Sequence, residues 1–355
     1  MATVTYKCPN CGGGLLFDPE TQKFHCEYCQ SYFIKEQLEK AGEKEPEETQ
    51  KETPEEREQK QEQEEFQTVV YTCPSCGAEI LTEETTAATF CYYCHNPVVL
   101  SGRLQGAFKP DAVLPFAVKR EEAVERFRQW IGKKKFVPRG FFAEEQIEKL
   151  TGVYFPYWRA DSAVKGALRA RGEKIRTWRT GDTQYTEREY YSVFREGLAE
   201  FDDITFSALS RADRALAEGV QPFDDSKMQP FGPLYLQGFQ AEKRDMDKEQ
   251  FRQRLNEMTA SRTASLLADT IHGYQSVSRE PLDVLSVDTK WQYALMPVWV
   301  MTYRDGKGKL FYYAMNGQTG KACGKLPVDI KRLLALFLGI FLPLLILLLI
   351  GGYFL

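Results

Sequence analysis

The chain ends with LLALFLGIFLPLLILLLIGGYFL, residues Leu333 to Leu355, a run of 23 residues without a charged side chain. An α-helix of this length is about 34 Å long, which matches the roughly 30 Å of hydrocarbon in a bilayer. Its eleven Leu, three Ile and three Phe favour insertion into lipid more than Pro343 and three Gly oppose it. A buried core helix is the alternative, and it would need a large domain around it. The sequence predicts one transmembrane helix.

The charges beside this helix predict its orientation. Lys331 and Arg332 precede it directly, with Lys321 and Lys325 slightly further away. Basic residues mark the cytoplasmic side of a membrane helix. The first residues, MATVTYKCPN, do not have the basic and apolar regions of a signal peptide. We therefore expect a single-pass protein of the cell membrane, with a cytoplasmic N-terminus and residues 331–355 as a C-terminal anchor.

The composition agrees with a cytosolic body. The net charge is −4, but Glu is concentrated in residues 36–65, and the rest of the chain is mildly basic. Such a surface could face an anionic leaflet or a nucleic acid. The chain has nine Cys, and in a reducing compartment these are not expected to form disulfides.

Eight of the cysteines form two copies of one motif, in which two C-x2-C pairs are separated by fourteen residues. The first copy consists of Cys8, Cys11, Cys26 and Cys29, and the second of Cys73, Cys76, Cys91 and Cys94. The identical spacing argues for a duplication and against unrelated free thiols. Four thiolates complete a tetrahedral Zn²⁺ shell and leave no position for a catalytic water. We predict two structural zinc ions, in a first ribbon over residues 1–35 and a second over residues 67–104, with His25 and His95 as bystanders.

The segment between the two ribbons, residues 36–66, is a low-complexity mixture of Glu, Lys and Gln. It cannot bury an apolar face, so we predict a disordered or partly helical charged linker. On such a linker the first ribbon would move freely, while the second ribbon would stay docked. Neither ribbon carries a dense basic finger, which favours protein contact or scaffolding over nucleic-acid binding.

Residues 105–330 have a globular composition and predict a central domain of the α+β class. A helix with Ala123, Phe127, Trp130 and Ile131 on one face ends at Gly132, and a longer helix covers residues 247–271. Several antiparallel strands are predicted between residues 153 and 209, separated by Gly172, Gly181-Asp182 and Gly197, and a hairpin follows near residues 291–315. Two similar strands, FPYW at 155–158 and MPVW at 296–299, are expected in the core.

Basic residues are concentrated on the predicted strands, with Trp178 among them. The candidate residues for an anionic surface are Arg169, Arg171, Lys174, Arg176 and Arg179. They could bind phosphates of lipid or nucleic acid. The alternative is an ordinary solvated sheet face, on which Glu187, Glu189 and Glu196 of the neighbouring strand balance the charge.

These features resemble bacterial membrane proteins that contain a transcription factor IIB-type zinc ribbon. The resemblance rests on CPNC and CEYC, on GVYFPYW at 152–158, on LMPVWVMTYRDGKGKLFYYAMNGQTGK at 295–321, and on the terminal helix. It implies a protein without known enzymatic activity that is often encoded near a phage-shock protein A-like protein and an SPFH-domain protein. The second ribbon departs from the single-ribbon pattern.

The sequence thus favours a tail-anchored scaffold that recruits protein partners to the cytosolic membrane face, with a role in membrane stress implied by the resemblance. The alternative is a nucleic-acid-binding regulator held at the membrane. An enzyme is not expected, because the chain has only three His and no complete nucleophile, zincin or phosphate-loop motif.

Overall fold

The computed structural model describes residues 6–42, 68–72, 79–83, 85–91, 97–104, 106–210, 212–305 and 309–354. The helices in these residues are α1 (Lys35–Gly42), α2 (Arg120–Gly132), α3 (Glu144–Ile147), α4 (Arg214–Gly219), α5 (Glu249–Ala268) and α6 (Ile330–Phe354). The strands are β1 (Leu15–Asp18), β2 (Lys23–Cys26), β3 (Tyr32–Phe33), β4 (Thr68–Thr72), β5 (Glu79–Glu83), β6 (Thr86–Phe90), β7 (Pro97–Val99), β8 (Ala112–Val113), β9 (Thr151–Thr180), β10 (Thr183–Ser207), β11 (Gln229–Pro230), β12 (Gln240–Glu242), β13 (Ser276–Arg279), β14 (Asp283–Arg304), β15 (Leu310–Asn316) and β16 (Ala322–Lys325). The mixture of helices and sheets confirms the α+β prediction.

The chain divides into two compact units. The first consists of Met1–Pro156, Arg211–Lys243 and Leu295–Leu355, and the second of Tyr157–Ser210 and Arg244–Ala294. The long strands β9 and β14 contribute residues to both units.

The first unit contains two small antiparallel sheets, one of them the pair β4-β5, and part of a larger mixed sheet. The other small sheet has the order β1-β2-β3 and carries the first cysteine motif. The larger sheet has the order β11-β8-β14-β9-β12-β6-β7, and β15 pairs with both β14 and β16. Within it β12 runs parallel to β9 and antiparallel to β6.

An aromatic cluster forms the core of the first unit. Phe116 stacks on Phe239 with ring centroids 4.1 Å apart, and Trp299 and Tyr154 meet Phe116 edge-on. The Trp299 indole N–H donates to the Val118 carbonyl at 3.1 Å, so this buried ring leaves no polar atom unpaired. The prediction that the MPVW strand belongs to the core is confirmed.

Helix α2 packs through the face that the sequence predicts. Ala123, Phe127 and Ile131 are buried, and Phe127 and Trp130 both contact the Tyr313 ring, at 4.8 Å and 5.1 Å. Residues three and four positions apart lie on one side of a helix, which explains why the periodicity identified this face.

The second unit is built on a long hairpin. Strand β10 pairs antiparallel with β9 from Thr183↔Thr180 to Ser207↔Tyr157, with one irregularity between Phe201 and Ile204. One face is covered by α5, where Leu255 packs with Ala160 and Phe206. The Trp158 N–H donates to the Met246 carbonyl at 2.9 Å, and the ring is buried, which confirms the core prediction for FPYW.

The predicted strand breaks at Gly172 and Gly197 are wrong, since β9 and β10 run through them. A Cβ on Gly172 would lie 2.5 Å from the Tyr274 ring, and one on Gly197 would lie 3.0 Å from Leu267. These glycines make room for packed side chains and do not turn the chain. The turn is at Gly181, which has φ of +61°.

The terminal helix α6 is exposed and apolar. Its segment Ile330–Leu347 has a mean hydropathy of 2.3 with none of it buried, so by length and composition it can cross a membrane. This confirms a long apolar helix at the C-terminus, while its membrane location and orientation stay predictions.

The predicted linker is partly ordered. Helix α1 includes residues 36–42, which agrees with the partly helical alternative, and the remainder of the linker, residues 43–66, lies outside the described residues.

Candidate metal centre

The first cysteine motif is held by two backbone loops of similar design. In the first loop the Cys8 N–H donates to the Gly13 carbonyl at 2.7 Å, and the Gly12 N–H donates to the Cys8 carbonyl. In the second the Cys26 N–H donates to the Ser31 carbonyl at 3.0 Å, and the Gln30 N–H donates to the Cys26 carbonyl. Each loop therefore turns its two thiols toward the same side.

A residue with positive φ follows the last cysteine of each loop. Gly12 has φ of +74° and Gln30 has φ of +58°. Gly adopts this region without steric cost, whereas Gln does so against its usual preference. The Gln30 side chain donates to the Glu27 carbonyl at 2.8 Å, which helps to hold that loop in place.

The four sulfur atoms form a compact group. The Sγ atoms of Cys8, Cys11, Cys26 and Cys29 all lie within 4.8 Å of one another. Cys8 and Cys29 are 3.5 Å apart, and Cys11 and Cys26 are 3.4 Å apart. A tetrahedral zinc site with Zn–S bonds of about 2.3 Å has sulfur atoms about 3.8 Å apart. The arrangement fits one Zn²⁺ ion, for which these cysteines supply the whole ligand set.

Neighbouring groups shift the acidity of two of these thiols in opposite directions. The hydroxyl and then the backbone N–H of Ser31 lower the pKa of Cys29 to about 6. The Gly13 N–H lowers the pKa of Cys11, but the neighbouring thiols, Cys26 first, raise it overall to about 12. Since zinc binds the thiolate, Ser31 favours the metal-bound form of Cys29.

Residues around the sulfur atoms complete the site. His25 lies outside the four-sulfur group, and its Nε2 is 3.1 Å from Gln30 Oε1 while its ring lies 4.8 Å from that of Tyr32. Its expected role as a bystander agrees with this geometry. The roles of Gln30 and Ser31 were not predicted from the sequence, although their position directly after Cys29 could have indicated them.

The second cysteine motif is only partly described. Cys91 follows β6 and is buried, whereas Cys73, Cys76 and Cys94 lie outside the described residues. Strand β6 belongs to the larger sheet, because Ala88 pairs with Val99 of β7 and with Ala241 of β12. This part of the second repeat therefore belongs to the larger sheet, while the second ribbon itself stays a prediction.

The first ribbon is also docked, and the expectation that it moves freely is wrong. The Phe17 N–H donates to the Gln237 carbonyl at 3.0 Å, and the Gln22 side chain donates to the Phe116 carbonyl at 2.8 Å. Phe17 and Phe24 also pack on the Tyr235 ring, at 5.4 Å and 6.0 Å. About 30 residues form only a small core alone, and the ribbon gains further apolar contacts from Tyr235 of the same compact unit.

Ion pairs add to this docking. Lys119 Nζ lies 3.2 Å from Asp18 and 2.6 Å from Glu20. Hydrogen bonds to Glu20 and then to Asp18 raise the pKa of Lys119. Glu20 is exposed, so solvent screens its pair with Lys119, whereas the Asp18 side chain is only 13% exposed and its pair with Lys119 is screened less.

The candidate basic residues on β9 do not share one face. Side chains alternate along a strand, so Arg169, Arg171 and Arg179 point to one side, and Lys174 and Arg176 to the other. Aromatic rings accompany them: Arg171 lies 3.9 Å from the Tyr190 ring centroid and Arg176 lies 5.7 Å from that of Trp178.

Acidic residues balance part of this charge. Glu187 pairs with Arg176 across the strands and Glu189 pairs with Lys174, while Lys165 and Glu196 form an ion pair at 2.8 Å. This geometry favours a solvated hairpin over a single phosphate-binding face. Binding of an anionic surface by these residues stays a prediction.

Comparison with known proteins gives one relative over the full length. The uncharacterized protein YdjG from Bacillus subtilis (strain 168) is 33% identical over 359 residues, which cover 99% of this chain and 99% of the relative. No protein-family model matches the chain, and no solved structure matches it. The first ribbon and the terminal helix both lie within the length shared with this relative.

Proposed function

This chain belongs to the family of Bacillus subtilis YdjG, and because the likeness includes both ends of the chain, we propose that its function requires both. The protein is a tail-anchored scaffold: α6 holds it in the cell membrane, the body lies in the cytoplasm, and a zinc ribbon recruits protein partners to the membrane surface. Lys331 and Arg332 beside α6 support this orientation.

The observation that carries the proposal is the exposed apolar surface of the first ribbon. Tyr28 is 76% exposed, Tyr32 49% and Ile34 42%. Phe17 and Phe24, by contrast, are buried and pack on Tyr235 of the body. Exposed tyrosines on a metal-fixed loop suit protein binding, since they offer a large contact area at low entropic cost.

Tyr28 is held in place although it is exposed. A Cβ on Gly13 would lie 2.6 Å from its ring, so the ring rests directly on the Gly13 backbone. Such an ordered side chain loses little freedom when a partner binds. Gly13 therefore has two roles. Its backbone supports the Tyr28 ring on the proposed binding surface, and its carbonyl accepts the Cys8 N–H in the metal loop.

The proposed partners are other membrane-associated proteins. An anchored scaffold and a membrane-bound partner share one surface, which raises their effective concentration without any new contact. The resemblance to zinc-ribbon membrane proteins implies a phage-shock protein A-like or SPFH-domain partner and a role in membrane stress. Neither part of the proposal involves catalysis.

Crosslinked pull-down with the full chain tests the scaffold. The double variant Tyr28→Ser and Tyr32→Ser should lose the phage-shock protein A-like or SPFH-domain partner while keeping its zinc. The matched control is Tyr185→Ser with Tyr190→Ser, because these tyrosines are similarly exposed on the hairpin. Partner recovery that both double variants leave unchanged would reject the ribbon surface.

The second candidate function, a membrane-held nucleic-acid-binding regulator, has a specific observation in its favour. Trp178 and Tyr185 stack at 5.6 Å on the hairpin, with Arg176 beside Trp178, a combination that single-stranded nucleic acids bind. Nucleic acid recovered with the unmodified chain and lost in the Tyr185 and Tyr190 variant, without any membrane-associated protein, would favour this function.

We also propose that the second motif, Cys73, Cys76, Cys91 and Cys94, binds a second structural Zn²⁺. Elemental analysis of the full chain should then give two zinc ions per molecule, and Cys26→Ser should remove one. Cys323→Ser is the control, since Cys323 belongs to neither motif. A single ion in the unmodified chain would reject the second site.

A further inference from the structure

A cavity of about 410 Å³ lies beside the start of α6. Three basic side chains line it, Arg128, Lys134 and Arg332, together with one acidic side chain, Glu144. The rest of the wall consists of Gly132 and the apolar side chains of Ile131, Val137, Phe142 and Ile147. This volume falls in the range of small-ligand sites, and mixed basic and apolar walls suit an amphipathic anion.

Backbone contacts fix the cavity to the membrane helix. The Asp329 N–H donates to the Phe136 carbonyl at 2.7 Å, and Arg332 donates to the Val137 carbonyl at 3.4 Å. The Asp329 carboxylate accepts the N–H groups of Lys331 and Arg332, at 3.1 Å and 3.3 Å, and so caps α6. The segment after α2 and the first turn of α6 therefore form one connected structure.

Two of the lining cations already have carboxylate partners. Arg128 donates to both oxygens of Glu144, at 2.9 Å and 3.0 Å, and Arg332 lies 3.3 Å from Asp329. These pairs fix the two guanidinium groups at the cavity wall and reduce their net charge. They leave N–H donors available, since a guanidinium has five.

Lys134 is the lining cation whose charge no carboxylate of the described residues balances. Its ammonium lies 5.4 Å from the Trp130 ring centroid, and within the described residues it forms no ion pair. Its neighbours Lys133 and Lys135 are exposed and, in the same part of the chain, are likewise not ion-paired. Of these three lysines only Lys134 lines the cavity, where its charge adds to that of the salt-bridged guanidinium groups.

We propose that this cavity binds the phosphate headgroup of an anionic phospholipid, whose acyl chains lie along α6. Lys331 and Arg332 cannot enter hydrocarbon at low cost, so they place the first turn of α6 at headgroup depth. Basic pockets next to membrane helices attract anionic headgroups. The inference rests on the membrane anchoring in the proposed function and adds a ligand to it.

The test uses the full chain in nanodiscs of phosphatidylcholine with a minority of phosphatidylglycerol. Native mass spectrometry then measures which lipid stays bound when the protein is released. We expect enrichment of phosphatidylglycerol on the unmodified chain and a loss of about fivefold with Lys134→Gln.

Lys135→Gln is the matched control, because it removes the same charge one residue away without touching the cavity wall. It should change retention by less than about twofold. Equal losses in both variants would overturn the cavity and indicate diffuse attraction to the lysine cluster. Both side chains are exposed, so folding should be retained, and an unchanged unfolding temperature checks this.

Two further results would contradict the inference. Release of the lipid by millimolar inorganic phosphate would show that the site takes free phosphate, and an acidic peptide that binds equally with and without lipid would identify a different ligand. A chain that enters nanodiscs but keeps no phosphatidylglycerol contradicts the cavity alone. A chain that does not enter them contradicts the anchor as well.

Discussion

Ser31 shifts the acidity of one thiol of the candidate metal centre without belonging to the four-sulfur group. Its hydroxyl oxygen lies 3.3 Å from Cys29 Sγ, and this contact is the main reason why the pKa of Cys29 falls from 9.0 to about 6. A thiol with a lowered pKa in the folded state contributes stability above its ordinary pKa, and this contribution is lost as the pH falls through about 6.

Replacing Ser31 should make zinc binding more sensitive to acid. In Ser31→Ala the pKa of Cys29 rises, so protons compete with the metal at higher pH, and the midpoint of zinc release should move upward by roughly half a pH unit. A chromogenic chelator that reports zinc release over a pH series measures it. Ser226→Ala, at an exposed serine that bonds to Asp224, should leave the midpoint unchanged, and a downward shift in Ser31→Ala would contradict the assigned role.

Among the helices and strands, two glycines differ in the space around them, which local sequence does not show. Gly172 lies inside β9 against the Tyr274 ring, whereas Gly132 ends α2, where an added Cβ would have no neighbouring atom within 4 Å. A Cβ is therefore costly at the first position and free of contacts at the second.

Alanine substitution should separate these two glycines. Gly172→Ala should lower the free energy of unfolding by about 1 to 3 kcal/mol because the ring must move. Gly132→Ala should raise it by about 0.4 to 1 kcal/mol because the unfolded chain loses freedom. Denaturant unfolding of the full chain in detergent measures both, and equal effects would refute the packing role of Gly172.

The docking of the first ribbon depends on Tyr235. Tyr235→Ala removes the ring that contacts Phe17 and Phe24, so the ribbon should separate from the body more often. Hydrogen exchange of the Phe17 amide, which donates to Gln237, should accelerate by about tenfold, which corresponds to about 1.4 kcal/mol.

The control for this docking prediction is Tyr185→Ala, which removes a tyrosine of the hairpin. It should leave exchange at Phe17 unchanged. Zinc content should stay the same in both variants, since neither residue is near the cysteines in sequence or binds them. Unchanged exchange in Tyr235→Ala would mean that the ion pairs of Lys119 hold the ribbon instead.

For the molecule as a whole, we predict that α6 decides where the protein resides. A chain that ends at Arg332 keeps the hydrogen bond from the Asp329 N–H to the Phe136 carbonyl but loses the apolar span. It should move from the membrane fraction to the cytosol. The few residues of α6 that remain cannot replace the roughly 20 apolar residues that a membrane-spanning helix needs. Fractionation with a salt wash measures this, and a truncated chain that resists the wash would show a second membrane attachment.

Local spacing and composition were sufficient to predict several features of this protein. The spacing of Cys8, Cys11, Cys26 and Cys29 identified a four-sulfur group, because two short loops suffice to orient the thiols. Uninterrupted apolar residues identified α6, and helical periodicity identified the buried face of α2. In each case the feature depends on residues close in sequence, or on whether a segment is polar enough to stay in water.

Features that depend on distant residues became visible only in the folded chain. Phe17 meets Tyr235, and Gly172 meets Tyr274, across separations that no local pattern records. Arg171 and Lys174 lie on opposite faces of β9. This could be deduced only once β9 was known to continue through Gly172. The cavity beside α6 likewise needs Arg128 and Arg332 together. A glycine or lysine has the same local propensity in any setting, and its role here is set by the side chain that folding brings against it.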